Sequence, residues 1–132
     1  MKQSIKHDVR KLININKWII CIGAGLENQN IQNVNDFKKN LFVQAACTQL
    51  ITNIYQDKQI LQKDTNQKLI LLNQIKLETS RNIASHDYDN VDFNIIYAVC
   101  QKLLKDEIRY EIDTVIKAIE NNTEDVNEDA AN

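Results

Sequence analysis

An all-α fold is predicted from the scarcity of turn formers and from the spacing of the apolar residues. The 132 residues include no proline, and glycine occurs only at Gly23 and Gly25. Sheet proteins draw on both residue types for their turns, so this shortage favours long helices with few connections. Apolar residues recur at three- and four-residue steps over long stretches, the spacing that lines one face of a helix. With 43% hydrophobic and 26% charged residues, the chain has the composition of an ordinary globular domain with one modest core. An antiparallel bundle of four to five helices is the simplest packing.

The first helix is expected from about Ser4 to Ala24, with Ile5, Val9, Leu12, Ile15, Ile19 and Ile22 facing inward. Its basic stripe of Lys2, Lys6 and Arg10, with Lys11 and Lys17 nearby, reads as a solvated face rather than a phosphate contact. Trp18 reads as a core or interface residue. Gly23 and Gly25 lack the third glycine and preceding strand of a nucleotide loop, and are expected to stop the helix. The polar stretch Glu27 to Asn35 follows as a connection. Asn35 or Asp36 then caps a second helix carrying Phe37, Leu41, Ala45, Leu50 and Ile54 inward. Ala45 and Ala46 would let a neighbouring helix approach closely. A turn or frayed end is expected over Asp57 to Gln67, then a third helix over Lys68 to Ser80 with Leu69, Leu72, Ile75 and Leu77 buried. The last long helix is expected to start at the cap Asp92 and run to about Ile119. Its inner stripe comprises Phe93, Ile96, Val99, Cys100, Leu103, Ile108, Ile112, Val115 and Ile119. Residues 1–120 thus form one domain. Residues 121–132 form an acidic tail with too few apolar residues to offset its ordering entropy, and disorder is expected there.

Several function classes are excluded at this level. Cys21, Cys47 and Cys100 are widely spaced without a C-x-x-C pair, and only two histidines accompany them, so no metal site is expected. The cysteines read as small buried apolar residues in a reducing compartment. There is no signal-peptide pattern and no apolar run near the roughly 18 residues of a membrane span, so a cytoplasmic protein without membrane association is expected. Net charge is −2. The tail holds Glu124, Asp125, Glu128 and Asp129 and no base, leaving residues 1–120 at +2. Such a balance gives no general affinity for nucleic acid, so an RNA surface would have to be local or assembled from two subunits.

One stretch carries chemistry: Arg81, Asn82, Ile83, Ala84, Ser85, His86, Asp87 and Tyr88. Arginine clamps phosphate with a planar, permanently charged fork, and histidine exchanges protons near neutral pH. On a straight helix Arg81 and His86 lie about 140° apart, so they meet on one phosphate only through a bend near Ser85 or a two-fold dimer. A dimer around this segment would pair two arginines with two histidines and supply local positive charge. Without metal ligands, the expected hydrolytic chemistry is attack by the 2′-hydroxyl of RNA on the adjacent phosphate. His86 would serve as general base or acid and Arg81 would stabilise the phosphorane-like charge. Asn82 would orient the arginine or the phosphate. Asp87 places negative charge beside the site, which favours a protonated His86 or weakens RNA binding.

The order Arg81-Asn82-x-x-x-His86-x-Tyr88, followed by Val91-Asp92 and Ile95-Ile96-Tyr97, resembles the core of the HepT-like ribonuclease toxins of the HEPN superfamily. Their signature is an arginine, four to six free positions, a histidine, and usually a tyrosine two residues on. Upstream, Phe37 to Ile54, with Gln44, Ala45 and Ala46, resembles the family's second helix. The likeness covers most of residues 5–116 and is densest over 75–103. It departs at Gln74, where an aromatic is common, at Tyr55-Gln56 in place of a glycine–glutamate pair, and at Tyr97 in place of tryptophan. The resemblance implies a HEPN-type bundle dimerising around the motif helix and a toxin of a toxin–antitoxin system. It also implies a metal-independent endoribonuclease, without cofactor, that leaves 2′,3′-cyclic phosphate ends. It further implies that Tyr88 is AMPylated by a partner nucleotidyltransferase antitoxin of the MNT type, adding negative charge where RNA would bind. A rival reading is a non-catalytic HEPN module whose Arg81 and His86 hold a nucleotide or a partner. A helical scaffold with a coincidental motif is a third.

Overall fold

The computed structural model describes the backbone of residues 2–78 and 91–131 and the side chains of residues 5–78 and 91–122. Those residues form six α-helices and one 3₁₀ turn, with no strand among them: α1 (Lys2–Asn28), α2 (Val34–Lys38), α3 (Leu41–Gln59), α4 (Lys63–Gln67), the 3₁₀ turn Leu72–Gln74, α5 (Phe93–Leu103) and α6 (Asp106–Ala131). The all-α expectation is met, and the helices pack as a bundle.

The core is built around α1, which lies against both α3 and α6. Leu12, Ile15, Ile19, Ile22 and Leu26 are buried, with Ile5 and Val9 packed against them, as the apolar spacing predicts. Each fully buried aliphatic side chain of this kind contributes about 1.5–3 kcal/mol. The direction of packing follows from polar contacts. Asp57, near the end of α3, accepts the Trp18 indole N–H at 2.8 Å and pairs with Lys11 at 3.5 Å. Asn40, just before α3, donates to Gln29 at 3.2 Å, so α1 and α3 are antiparallel. Asn16 donates to Asp113 at 2.8 Å while Gly23 faces Leu104, which makes α1 and α6 antiparallel too.

α3 and α5, by contrast, run in the same direction. Phe37, preceding α3, meets Phe93 and Tyr97 at the start of α5, and Cys47 meets Cys100 further along both helices. The bundle is therefore not antiparallel throughout.

α1 does not stop at its glycines but runs through them to Asn28. A Cβ at Gly23 would stand 3.1 Å from Leu104, so this glycine serves close packing against the α5–α6 corner. Termination falls to Asn30, whose φ of 59° is left-handed. Its N–H bonds to Glu27 O at 3.0 Å and that of Ile31 to Leu26 O at 2.9 Å, which is a Schellman closure with asparagine in the usual glycine place.

The expected helix from Phe37 is two helices. Asn33, not Asn35 or Asp36, caps α2, accepting from the Asp36 N–H at 2.9 Å, and Asn40 caps α3, accepting from the Val43 N–H at 3.0 Å. The second cap shifts the inward face of α3. Leu41 is 79% exposed and Ala45 is exposed, whereas Val43, Cys47, Ile51 and Ile54 are buried. Beside them Gln44, Thr48 and Thr52 are buried with their polar groups satisfied: Gln44 donates to Phe37 O at 2.8 Å, Thr48 to Gln44 O and Thr52 to Thr48 O.

Lys68 to Leu77 is not the expected helix either. Glu111 of α6 accepts the N–H groups of Leu71 and Leu72 at 2.8 and 3.1 Å, and Ile75 is extended at φ −89° and ψ 129°. Leu69, Leu72, Ile75 and Leu77 nevertheless bury as predicted. The expected last helix also divides. From Leu103 to Ile108 the apolar stripe takes a five-residue step, about 140° out of phase, and the chain turns there. Asp106 and Glu107 then sit in the first turn of α6, where negative charge suits the helix N-terminus. The acidic residues 121–131 fall within the bounds of α6.

Asp8 of α1 fastens the connection after α3. Only 1% exposed, it accepts from the Gln62 N–H at 3.2 Å and from the Thr65 hydroxyl, supplying from another helix the cap that α4 lacks in its own sequence. Asp8→Ala should lower stability by about 2–3 kcal/mol by leaving both donors unmet, and Asp8→Asn by roughly half as much. Urea denaturation followed by fluorescence of Trp18 measures both. Equal effects would mean that the charge, rather than the acceptors, is what α4 needs.

Candidate functional site

The motif residues Arg81, Asn82, His86 and Tyr88, with Asp87 between them, lie outside the described residues, as does the part of the chain around which dimerisation is expected. The structure describes both flanks of that stretch. On the N-terminal side, Leu77 is buried in the core and Glu78 is exposed. Burial lowers the pKa of the Lys58 ammonium near the end of α3, and the negative charge of Glu78 raises it in part, so the two residues act on one another there.

On the C-terminal side the anchor is aromatic. Val91 is half-buried against the core, and Asp92 caps α5 by accepting from the Asn94 N–H at 3.0 Å, the cap expected from the sequence. Phe93 meets Phe37 edge-on, with ring centroids 6.2 Å apart at 63°, and Tyr97 stands at 5.3 Å and 47° from the same ring. Phe37 is fully buried. Its carbonyl accepts from Gln44 and from the Asn40 N–H at 3.2 Å, so the residue that receives α5 is itself fixed by the cap of α3. Sequence spacing gave no sign of this cluster, since Phe37 and Phe93 are far apart along the chain.

Glu78 thus stands near one end of α3, at Lys58, and Phe93 near the other, at Phe37. Of the upstream stretch that resembles the family, Gln44 helps hold Phe37. Ala46 lines a groove between α1 and α3, whereas Ala45 faces outward. Of the basic stripe on α1, Lys6, Arg10 and Lys17 are exposed, consistent with a solvated face, while Lys11 is turned to Asp57. Tyr55 and Gln56 occupy the last turns of α3, half-buried and exposed, and Gln74 lies exposed in the 3₁₀ turn.

Among the described residues no group of three histidine, cysteine, aspartate or glutamate side chains is placed to hold a metal ion, and no helix is long and apolar enough to cross a membrane. Comparison of the chain with protein-family models, with curated proteins and with solved structures found no match in any of the three.

Proposed function

We propose that the chain is a toxin of the HepT-like type, an endoribonuclease that acts as a homodimer in the cytoplasm and is held in check by a nucleotidyltransferase antitoxin. The observation that carries this reading is the order Arg81-Asn82-x-x-x-His86-x-Tyr88 with its flanks Val91-Asp92 and Ile95-Ile96-Tyr97. An all-helical frame that anchors both ends of the motif stretch is compatible with it. In the proposed reaction the RNA 2′-hydroxyl attacks the adjacent phosphorus and the 5′-oxygen of the next nucleotide leaves. His86 takes or gives the proton, and Arg81 meets the charge that grows on the phosphate oxygens. Asn82 orients one of the two. AMP groups on Tyr88 would close the site by charge repulsion and bulk.

The test has two arms. Purified protein incubated with RNA in a metal chelator should produce fragments ending in 2′,3′-cyclic phosphate. Protein co-expressed with the nucleotidyltransferase of a neighbouring gene should gain mass in AMP increments, and Tyr88→Phe should gain none. Cleavage without increments would remove the antitoxin mechanism. Increments without cleavage would favour a nucleotide- or partner-binding module instead.

A further inference from the structure

Where α1 and α3 lie side by side, the surface is without charge over much of its length. No residue from Leu41 to Gln56 of α3 is charged, and none from Trp18 to Leu26 of α1, although 26% of the chain is charged. Charged and polar residues ordinarily gather on the outward face of a helix. On α3 that face shows Leu41, Phe42, Ala45 and Gln49, the first two 79% and 73% exposed. On α1 the exposed Ile20, Cys21 and Ala24 continue it across the groove. The groove between the two helices holds a cavity of about 140 Å³, walled by Phe42, Ala46 and Leu50 on one side and by Cys21 and Gly25 on the other. Large apolar side chains thus stand in water beside an apolar hollow, and such a patch indicates a contact surface rather than a solvated face.

We propose that a second copy of the chain covers this face, about a two-fold axis near Phe42, with Leu41 of each copy seated in the cavity of the other. In a two-fold contact the same patch meets itself, so a charge near the axis lies against its own image and is repelled. A face without charge escapes that repulsion. An unlike protein is steered and selected by opposite charge, and this face offers none. The patch is also complementary to itself in shape. Around α3, Leu41 lies on one side of Phe42 and the cavity residues Ala46 and Leu50 lie on the other. A half-turn about Phe42 therefore brings the projecting leucine of each copy over the hollow of the other. The uncharged length of α3 is about 24 Å at 1.5 Å per residue. A face of that length and two helices wide lies near the lower end of specific interfaces, so the association is expected to be reversible and to grow with concentration. The contact draws on α1 and α3 and not on Arg81, His86 or Tyr88, so it stands apart from the ribonuclease reading and from pairing around the motif.

The full chain is sedimented at rising concentration beside Phe42→Glu. The unaltered chain should associate. Phe42→Glu sets two carboxylates against each other at the axis and should lower the association state while its helical circular dichroism is kept. Ala45 shares the outward face one turn from Leu41. Ala45→Cys, made together with Cys21→Ser, should therefore be joined to its own copy by a short bis-maleimide, since Cys47 and Cys100 are buried. Gln67→Cys in the same Cys21→Ser chain, exposed on α4, should not be joined. An unaltered chain that stays single would overturn the proposal, and so would unchanged association in Phe42→Glu or equal joining at positions 45 and 67. Association at Phe42 that requires an unlike protein would overturn it too, because the face would then have a different occupant. Should Phe42→Glu fail to fold, the Ala45→Cys result decides alone.

Discussion

Replacing His86 with alanine is expected to abolish both growth arrest on induced expression and RNA cleavage by the purified protein. Loss of a positioned general acid–base group costs about 10²–10⁴-fold in rate. Cleavage by 2′-hydroxyl attack needs a proton removed from the nucleophile and one given to the leaving oxygen, and His86 is the only histidine in the motif. The other histidine, His7, is exposed on α1 near its start and serves as a control, because His7→Ala should leave the rate unchanged. Arg81→Lys adds a second reading. It keeps the positive charge but loses the planar fork, so binding of RNA should weaken less than cleavage does. Thermal unfolding recorded alongside separates lost chemistry from lost fold. Cleavage at the unaltered rate by a folded His86→Ala protein would sink the catalytic assignment and leave the binding module as the better reading.

The parts of the fold that could be read in advance are those where a helix buries one face. The stripes on α1 and α6, Leu12 to Ile22 and Ile108 to Ile119, bury residue for residue as the three- and four-step spacing says. α3 was harder because it buries two faces. Gln44, Thr48 and Thr52 look like surface residues until their hydrogen bonds to carbonyls one turn back, or across the α2 corner, are known. Conversely, Leu41 and Phe42 look like core, yet the Asn40 cap turns them outward, 79% and 73% exposed. Helix ends depended on particular side chains rather than on residue class. Asn30 ends α1 where glycine was expected to, and the five-residue step from Leu103 to Ile108 marks a break where a single helix to Ile119 was expected. The Lys68–Leu77 stretch gave its buried residues but not its shape, because a carboxylate from distant Glu111 takes the N–H groups that a helix would use. At the candidate site the Asp92 cap was legible because it is local. The Phe37 cluster joins residues more than fifty positions apart, which no local pattern encodes.

Phe37→Ala is expected to lower stability by about 3–5 kcal/mol, the range for truncating a buried aromatic. That is a large share of the roughly 5–15 kcal/mol that holds a domain of this size together. Phe37 is wholly buried and touches both rings at the start of α5, so its loss leaves a cavity where α2, α3 and α5 meet. Phe93→Ala should cost less, because Phe93 is only half-buried. In a double-mutant cycle the edge-on pair should couple by about 0.5–1.5 kcal/mol, measured by urea denaturation with Trp18 as the reporter. The milder Phe37→Leu bears on function. It keeps most of the buried volume but removes the ring that receives Phe93 and Tyr97, loosening the C-terminal anchor of the motif stretch. Ile112→Val, in the core of α6 and away from that anchor, provides a change of similar small cost to stability, about 0.5–1.5 kcal/mol. If the aromatic anchor positions the motif, Phe37→Leu should slow RNA cleavage well beyond what Ile112→Val does. Equal effects would mean that Phe37 supports the fold alone and that the geometry of the motif is set elsewhere, by the N-terminal flank at Leu77 or by the proposed dimer contact around it.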